Sequence, residues 1–215
     1  MDTKHTAIKF YGIYLIVAVI TIACLLMNGP MRGGLPLDTT VVERIAFISE
    51  HRGIWALSWF CWMLSALGLF VFCAILADEL KASLARTVGL SFVGMGIAPD
   101  LIAEVIYAFV IPKIIAQSQD IPLIEALEII AMHLTGYLGN GLYNLGGLVL
   151  TCAALAQGRL ETWVAIWGIS AWILGLLLSC AIAIGALGAA EFFTATAMVL
   201  STSWMLIFAH RVLNK

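Results

Sequence analysis

The chain has 215 residues, of which 62% are hydrophobic and 11% charged, and its mean hydropathy is +1.03. A water-soluble domain carries about a quarter charged residues, so that class is excluded. With 11 Lys+Arg against 13 Asp+Glu the net charge is −2, which leaves no basic face for nucleic acid and no acidic tail.

A helix crosses the hydrocarbon core of a bilayer in about 20 residues. The first charge-free run, Phe10 to Met31, predicts a span over 10–28 behind Lys4 and Lys9. No small-x-small cleavage site closes it, so it reads as a retained first helix and not as a signal peptide. Residues 29–53 hold Gly33-Gly34, two prolines and a mixed-charge stretch. In that stretch Val41, Val42, Ile45, Ala46 and Ile48 alternate with Glu43, Arg44 and Glu50 at near-helical spacing. This predicts an interfacial helix over 39–52, lying on the outer membrane surface and capped by Thr39 or Thr40.

Span two is expected over 54–77 and span three over 87–111, the latter interrupted only by Asp100 and Glu104. Pro122 opens an apolar-acidic stretch that leads into span four, 129–157. Spans five and six are expected over 163–187 and 191–210. The fold class is therefore all-α: one domain over 1–215, a polytopic bundle of six transmembrane helices with an outer interfacial helix between the first two.

Orientation follows from the Lys and Arg counts on the two sides. Lys4, Lys9, Lys81, Arg86, Arg159, Arg211 and Lys215 lie on one side, and Arg32, Arg44, Arg52 and Lys113 on the other. Both termini are expected on the richer, cytoplasmic side of a plasma membrane. The five cysteines (Cys24, Cys61, Cys73, Cys152, Cys180) all fall inside spans with no Cys-x-x-Cys, so they read as small buried hydrophobes.

Charge inside lipid costs at least about 2.5–3.5 kcal/mol for Asp near a helix centre. Span three nevertheless carries Asp100 and Glu104, four residues apart and so on one face. Asp100 lies about 20 Å along from Thr87, beyond the middle of the core, with Glu104 one turn nearer the outer surface. Pro99 precedes them, with Gly94 and Gly96 a turn earlier, and a proline there removes a backbone donor and kinks the helix. Span four carries His133, Tyr137, Asn140 and Asn144, which fall within roughly a 60° arc at about 100° per residue. Around them Gly136, Gly139, Gly141, Gly146 and Gly147 permit close helix approach.

These groups predict a polar pocket between helices three and four, open to the outer face, with His51 or Arg52 as counter-ions at its mouth. Trp55, Trp59 and Trp62 make one aromatic face on span two, which either lines an apolar ligand pocket or packs against a neighbouring helix. The expected ligand-binding set is Asp100, Glu104, His133, Tyr137, Asn140, Asn144, Arg52, Trp59 and Trp62. Against it stands the reading that these polar residues only hold helices together. Gly168, Trp172, Gly175 and Ser179 on span five read as a packing surface.

No phosphate loop, His-Glu-x-x-His or Gly-x-Ser-x-Gly elbow is present. Four histidines, with only His133 well inside a span, are too few for a haem pair or a membrane di-iron centre. No cofactor is expected. Asp100, Glu104 and His133 form a minority metal set and are also the candidate catalytic groups of an acid-base enzyme. No internal repeat of the transporter kind is visible, since the two interrupted helices are adjacent and not equivalent.

The stretch Gly141-Leu-Tyr-Asn-Leu-Gly-Gly-Leu-Val-Leu, the turn at Arg159, Trp163-Val-Ala-Ile-Trp-Gly-Ile and the closing Ala209-His-Arg-Val resemble a group of small, mostly bacterial, uncharacterised six-helix integral membrane proteins. That group is a conserved domain of unknown function. The resemblance implies a six-helix bundle of the bacterial inner membrane and carries no catalytic residues. Three functions follow as expectations: a protein binding or transporting a small or lipophilic ligand; an intramembrane enzyme on a lipid or isoprenoid; or an accessory subunit. The expected partners are the bilayer, such a ligand, and membrane proteins or further copies of the chain.

Overall fold

The computed structural model describes residues 3–37 and 39–213. Lys215, counted above among the charges of the richer side, lies outside the described residues, as does the side chain of Lys4.

Among the described residues seven helices follow in order, besides a single 3-10 turn at Arg32–Gly34: α1 (Thr3–Asn28), α2 (Val41–Glu50), α3 (Arg52–Asp78), α4 (Leu84–Gln117), α5 (Ile121–Ala156), α6 (Thr162–Ala183) and α7 (Leu187–Leu213). Among the described residues there is no β-strand, and all but α2 are long and apolar enough to cross a membrane. The six spans expected from charge-free runs are thus present as helices, and the stretch from Pro122 does lead directly into span four, as the opening turns of α5. Asp120 caps α5 by accepting from the Leu123 N–H at 3.2 Å, and Pro122 stands in its first turn.

Most helices extend beyond the expected spans, but one falls four residues short. Span five was expected to run to 187, but α6 ends at Ala183 and α7 begins at Leu187. Gly185 takes a positive φ of 72° there, a left-handed conformation that only glycine adopts freely and that ends a helix. The run from 162 to 190 is charge-free, so charge alone carries no trace of this turn.

Each long helix packs on the next, and α7 returns to α1, so the six close into a ring. Both described chain ends meet at one end of it. Tyr14 of α1 hydrogen-bonds His210 of α7 at 2.5 Å, and Lys9 bridges Asp78 and Glu79 at the end of α3. This end is filled. Phe72, Trp204 and Phe208 are fully buried, and Phe72 meets the other two rings edge-on at 5.2 and 5.6 Å. Trp172 adds a fourth ring 5.6 Å from Trp204.

The α4–α5 contact is set by glycine. A Cβ at Gly96 would lie 2.6 Å from the carbonyl oxygen of Gly139, and one at Gly146 would lie 2.5 Å from that of Gly89. In each helix the paired glycines are seven residues apart, so the antiparallel backbones touch along two turns. Extending the same register by one turn sets Asp100 opposite Thr135. The packing of helices three and four, expected only from their adjacency in sequence, is the frame on which the site stands.

At the opposite end, α2 begins with the expected cap. Thr40 Oγ1 accepts from the Glu43 N–H at 3.3 Å, and Glu43 accepts in return from the Thr40 N–H at 2.7 Å. That backbone bond, joined by one from the Thr40 hydroxyl, holds the exposed Glu43 carboxyl below its ordinary value. Arg44, expected on the polar face of a surface helix, is instead buried. Its Nε and Nη2 donate to the two carboxylate oxygens of Glu128 on α5 at 2.9 and 2.5 Å, and Nη1 donates to the Thr39 carbonyl.

Candidate functional site

Between the filled end and α2 the ring surrounds a partly open cavity of about 420 Å³, lined by residues of all six long helices. The sequence placed a pocket between helices three and four; the structure gives it four further walls. Its side walls include Thr21 and Cys24 of α1, Trp59 and Trp62 of α3, Glu104 and Tyr107 of α4, and Asn140 and Tyr143 of α5. Ile182 of α6 and Met198 of α7 complete the ring. Over the rim Arg32 donates to Glu191 at 2.7 Å, each side chain about two-fifths exposed. A smaller cavity of about 90 Å³ adjoins it toward the filled end and shares Trp62, Thr135, Asn140 and Tyr143 with it. Asp100 and Asn144 line the smaller one.

The two carboxyls therefore occupy adjoining chambers. Asp100 is 6% exposed and accepts a hydrogen bond from Thr135 Oγ1. Glu104 is 2% exposed and lines the larger cavity, and its Oε2 has no hydrogen-bond partner. The indole N–H groups of Trp59 and Trp62, in the same wall, also lack partners. Among the described residues these three are the buried side-chain polar atoms left unpaired, and all belong to one cavity. A buried unpaired polar atom is uncommon in folded proteins and calls for an explanation such as a bound group.

Aromatic stacking fixes this wall. Trp59 lies flat on Tyr107, with ring centroids 4.4 Å apart and planes at 4°. Trp55, fully buried, donates its indole N–H to the Tyr107 carbonyl at 2.7 Å, and Tyr107 Oη donates to the Glu128 carbonyl at 3.2 Å. The tryptophan face on span two thus does both things considered for it: Trp55 packs, while Trp59 and Trp62 line the cavity.

Not every expected residue arrives. Tyr137 is half exposed, and His133 Nδ1 pairs with the Ile129 carbonyl at 2.8 Å; neither lines either of these two cavities. The cause is a wide turn over His133–Gly139, where hydrogen bonds reach back five residues; the Asn140 N–H bonds the carbonyl of Thr135. The 100° stripe that joins His133, Tyr137, Asn140 and Asn144 assumes an unbroken α-helix. One extra residue in the turn carries the first two away and brings in Thr135, five before Asn140. Arg52 and His51 are exposed and line neither cavity, with His51 stacked on Phe47; the rim cation is Arg32. Among the described residues no three of His, Cys, Asp and Glu gather as a metal site would require, so Asp100, Glu104 and His133 do not converge.

Asn140 and Asn144 also serve the packing reading. Asn144 Nδ2 donates to the carbonyl and side-chain oxygens of Asn140 at 2.7 Å, and Asn140 Nδ2 donates to the Gly175 carbonyl of α6 at 3.2 Å. The small face of α6 is buried, as expected of a packing surface. Tyr107, missed in sequence, falls three residues after Glu104 and was open to discovery on the same helical face. Tyr143 likewise falls three after Asn140. Compared with protein-family models, with curated proteins and with solved structures, the chain finds no match.

Proposed function

We propose that the chain is a multi-pass membrane protein of the binding or transport type that holds a small lipophilic ligand in the larger cavity. The carrying observation is Glu104, buried in the wall of a 420 Å³ space with an unpartnered carboxyl oxygen. Leaving a buried acceptor unpaired costs about 1–3 kcal/mol, and a ligand with a hydrogen-bond donor removes that cost. The volume falls in the usual range for small-molecule sites, roughly 300–1,000 Å³. The lysine and arginine distribution supports cytoplasmic termini, which sets the cavity in the outer half of a bacterial inner membrane, below an interfacial α2. The likeness to uncharacterised six-helix membrane proteins agrees with that location. Thr21 of α1 and Ala195 and Val199 of α7 line the cavity and are also exposed, which supports entry from the lipid between those two helices.

The test is native mass spectrometry of the protein released from mild detergent, beside an Asp100→Asn/Glu104→Gln variant. A small molecule retained by the wild type and lost from the variant is the expected result. Nothing retained by either, with equal melting temperatures, overturns the reading and leaves the carboxyls as helix contacts.

A further inference from the structure

Resting on that reading, we infer that the ligand is a lipophilic organic cation, a protonated amine or ammonium on an apolar body, with Glu104 as its counter-charge. The charge on the cavity wall carries the first part. Among the described residues that line it, Arg32 is the one cation, and Glu191 holds it at the rim. Glu104 lies deeper with no basic side chain beside it in the lining, and Asp100 sits one turn further in, against Thr135. An anion entering this space meets the Glu104 carboxyl, with Asp100 in the adjoining chamber and the rim base already held by Glu191. A cation meets an acceptor that lacks a donor.

The aromatic walls carry the second part. Trp59, Trp62, Tyr107 and Tyr143 line the chamber that Glu104 lines. Ring faces attract a cation through their quadrupoles, most strongly where water is excluded, and such rings recognise alkylated ammonium groups. The unpartnered indole N–H groups would by themselves suit any acceptor, an anion included. Glu104 in the same wall turns that choice toward a cation with an ether or hydroxyl oxygen on its own body. The rest of the lining, including Met27, Leu178 and Ile182, is apolar and takes that body.

The experiment uses the full-length protein in lipid nanodiscs at neutral pH, titrated with octylamine, octanol and octanoate and followed by tryptophan fluorescence. Empty nanodiscs supply the correction for lipid partitioning. Octylamine is expected to bind about 10-fold or more tighter than octanol, and octanoate not to bind. Glu104→Gln is expected to remove the octylamine preference while octanol still binds, and Glu104→Asp to restore part of it. Tetrabutylammonium, which needs no variant, is expected to compete octylamine off the wild type. Equal octylamine and octanol affinity, unchanged by Glu104→Gln, or no competition by tetrabutylammonium, would overturn the cation and leave the cavity standing. Binding of none of the three probes to the wild type overturns both the cation and the cavity reading.

Discussion

Tryptophans build both ends of the ring; at the open end Trp55 is packed and hydrogen-bonded like those of the filled end, but Trp59 and Trp62 are treated in the opposite way. At the filled end Trp172 donates its N–H to Thr151 Oγ1 at 2.9 Å and Trp204 donates to the Val164 carbonyl at 2.9 Å. Each lies over a glycine, and a Cβ on Gly147 or Gly168 would stand 2.6 Å from the indole Cζ2. At the other end Trp59 and Trp62 have no acceptor and face a space. Indole closes a bundle where a glycine makes room for the ring and an oxygen meets its N–H. Where neither is supplied, the same side chain becomes the wall of a site.

That contrast breaks if the two ends respond alike to truncation. Trp204→Ala should cost about 3–5 kcal/mol, because the rings and helices around it cannot collapse into the hole. Trp62→Ala, which enlarges an existing cavity, should cost far less; chemical unfolding in detergent followed by circular dichroism compares the two. A comparable loss is expected at one point of the open end. Arg44→Met leaves Glu128 as a buried charge without its partner, costing about 3–5 kcal/mol, whereas Arg44→Met with Glu128→Leu should be near neutral. A double variant as unstable as the single one would show that α2 is held by more than this pair. Next in size is the α4–α5 seam. Gly96→Ala presses a methyl into the Gly139 carbonyl and should cost about 1–3 kcal/mol, while Gly94→Ala, whose Cβ meets only Phe70 at 3.6 Å, should be tolerated.

How much of this was legible in the sequence differs between the two ends for a physical reason. Six helices follow from the charge-free runs, each about 20 residues or longer, the length at which a helix can satisfy its own backbone across an apolar layer. Asp100 and Glu104 stand out because charge in an apolar run is costly. Periodicity, however, assumes one helical pitch. The wide turn at His133–Gly139 breaks that assumption in the segment that faces the carboxyls, so Tyr137 and His133 were expected inward and Thr135 was not. A second wide turn, over Ile106–Val110, precedes Pro112, whose ring and missing N–H cannot continue a regular α pattern. Arg44 shows a different limit. It sits on the same face as Val41, Ile45 and Ile48, a pattern that signals a buried cation, but its partner Glu128 is 84 residues away and no local rule pairs them.

The carboxyl at the centre of the cavity should show the reverse sign from the filled end. Glu104→Leu removes an unpaired buried acceptor and should raise the stability of the ligand-free protein by about 1–3 kcal/mol, read from the denaturant midpoint. A site kept at a cost to stability is the expected trade between function and folding. A loss of stability in that variant would mean that Glu104 has a structural partner and would weaken the ligand reading directly.

The smallest effect is also the cleanest contrast, because it changes one N–H and little else. Trp172→Phe deletes a hydrogen bond of the ring that closes the smaller cavity toward the filled end and leaves Thr151 Oγ1 without its donor, so a loss of about 1 kcal/mol or more is expected. Trp59→Phe deletes a donor that has nothing to donate to and keeps an aromatic ring against Tyr107. Its loss of ring area and its gain from removing an unpaired polar group act in opposite directions, so ligand-free stability should hardly move. Ligand affinity should move instead, because the indole N–H is then missing from the wall. Equal destabilisation by the two substitutions, measured side by side in the same detergent, would mean that Trp59 is simply core. The distinction between the two ends would then rest on Glu104 alone.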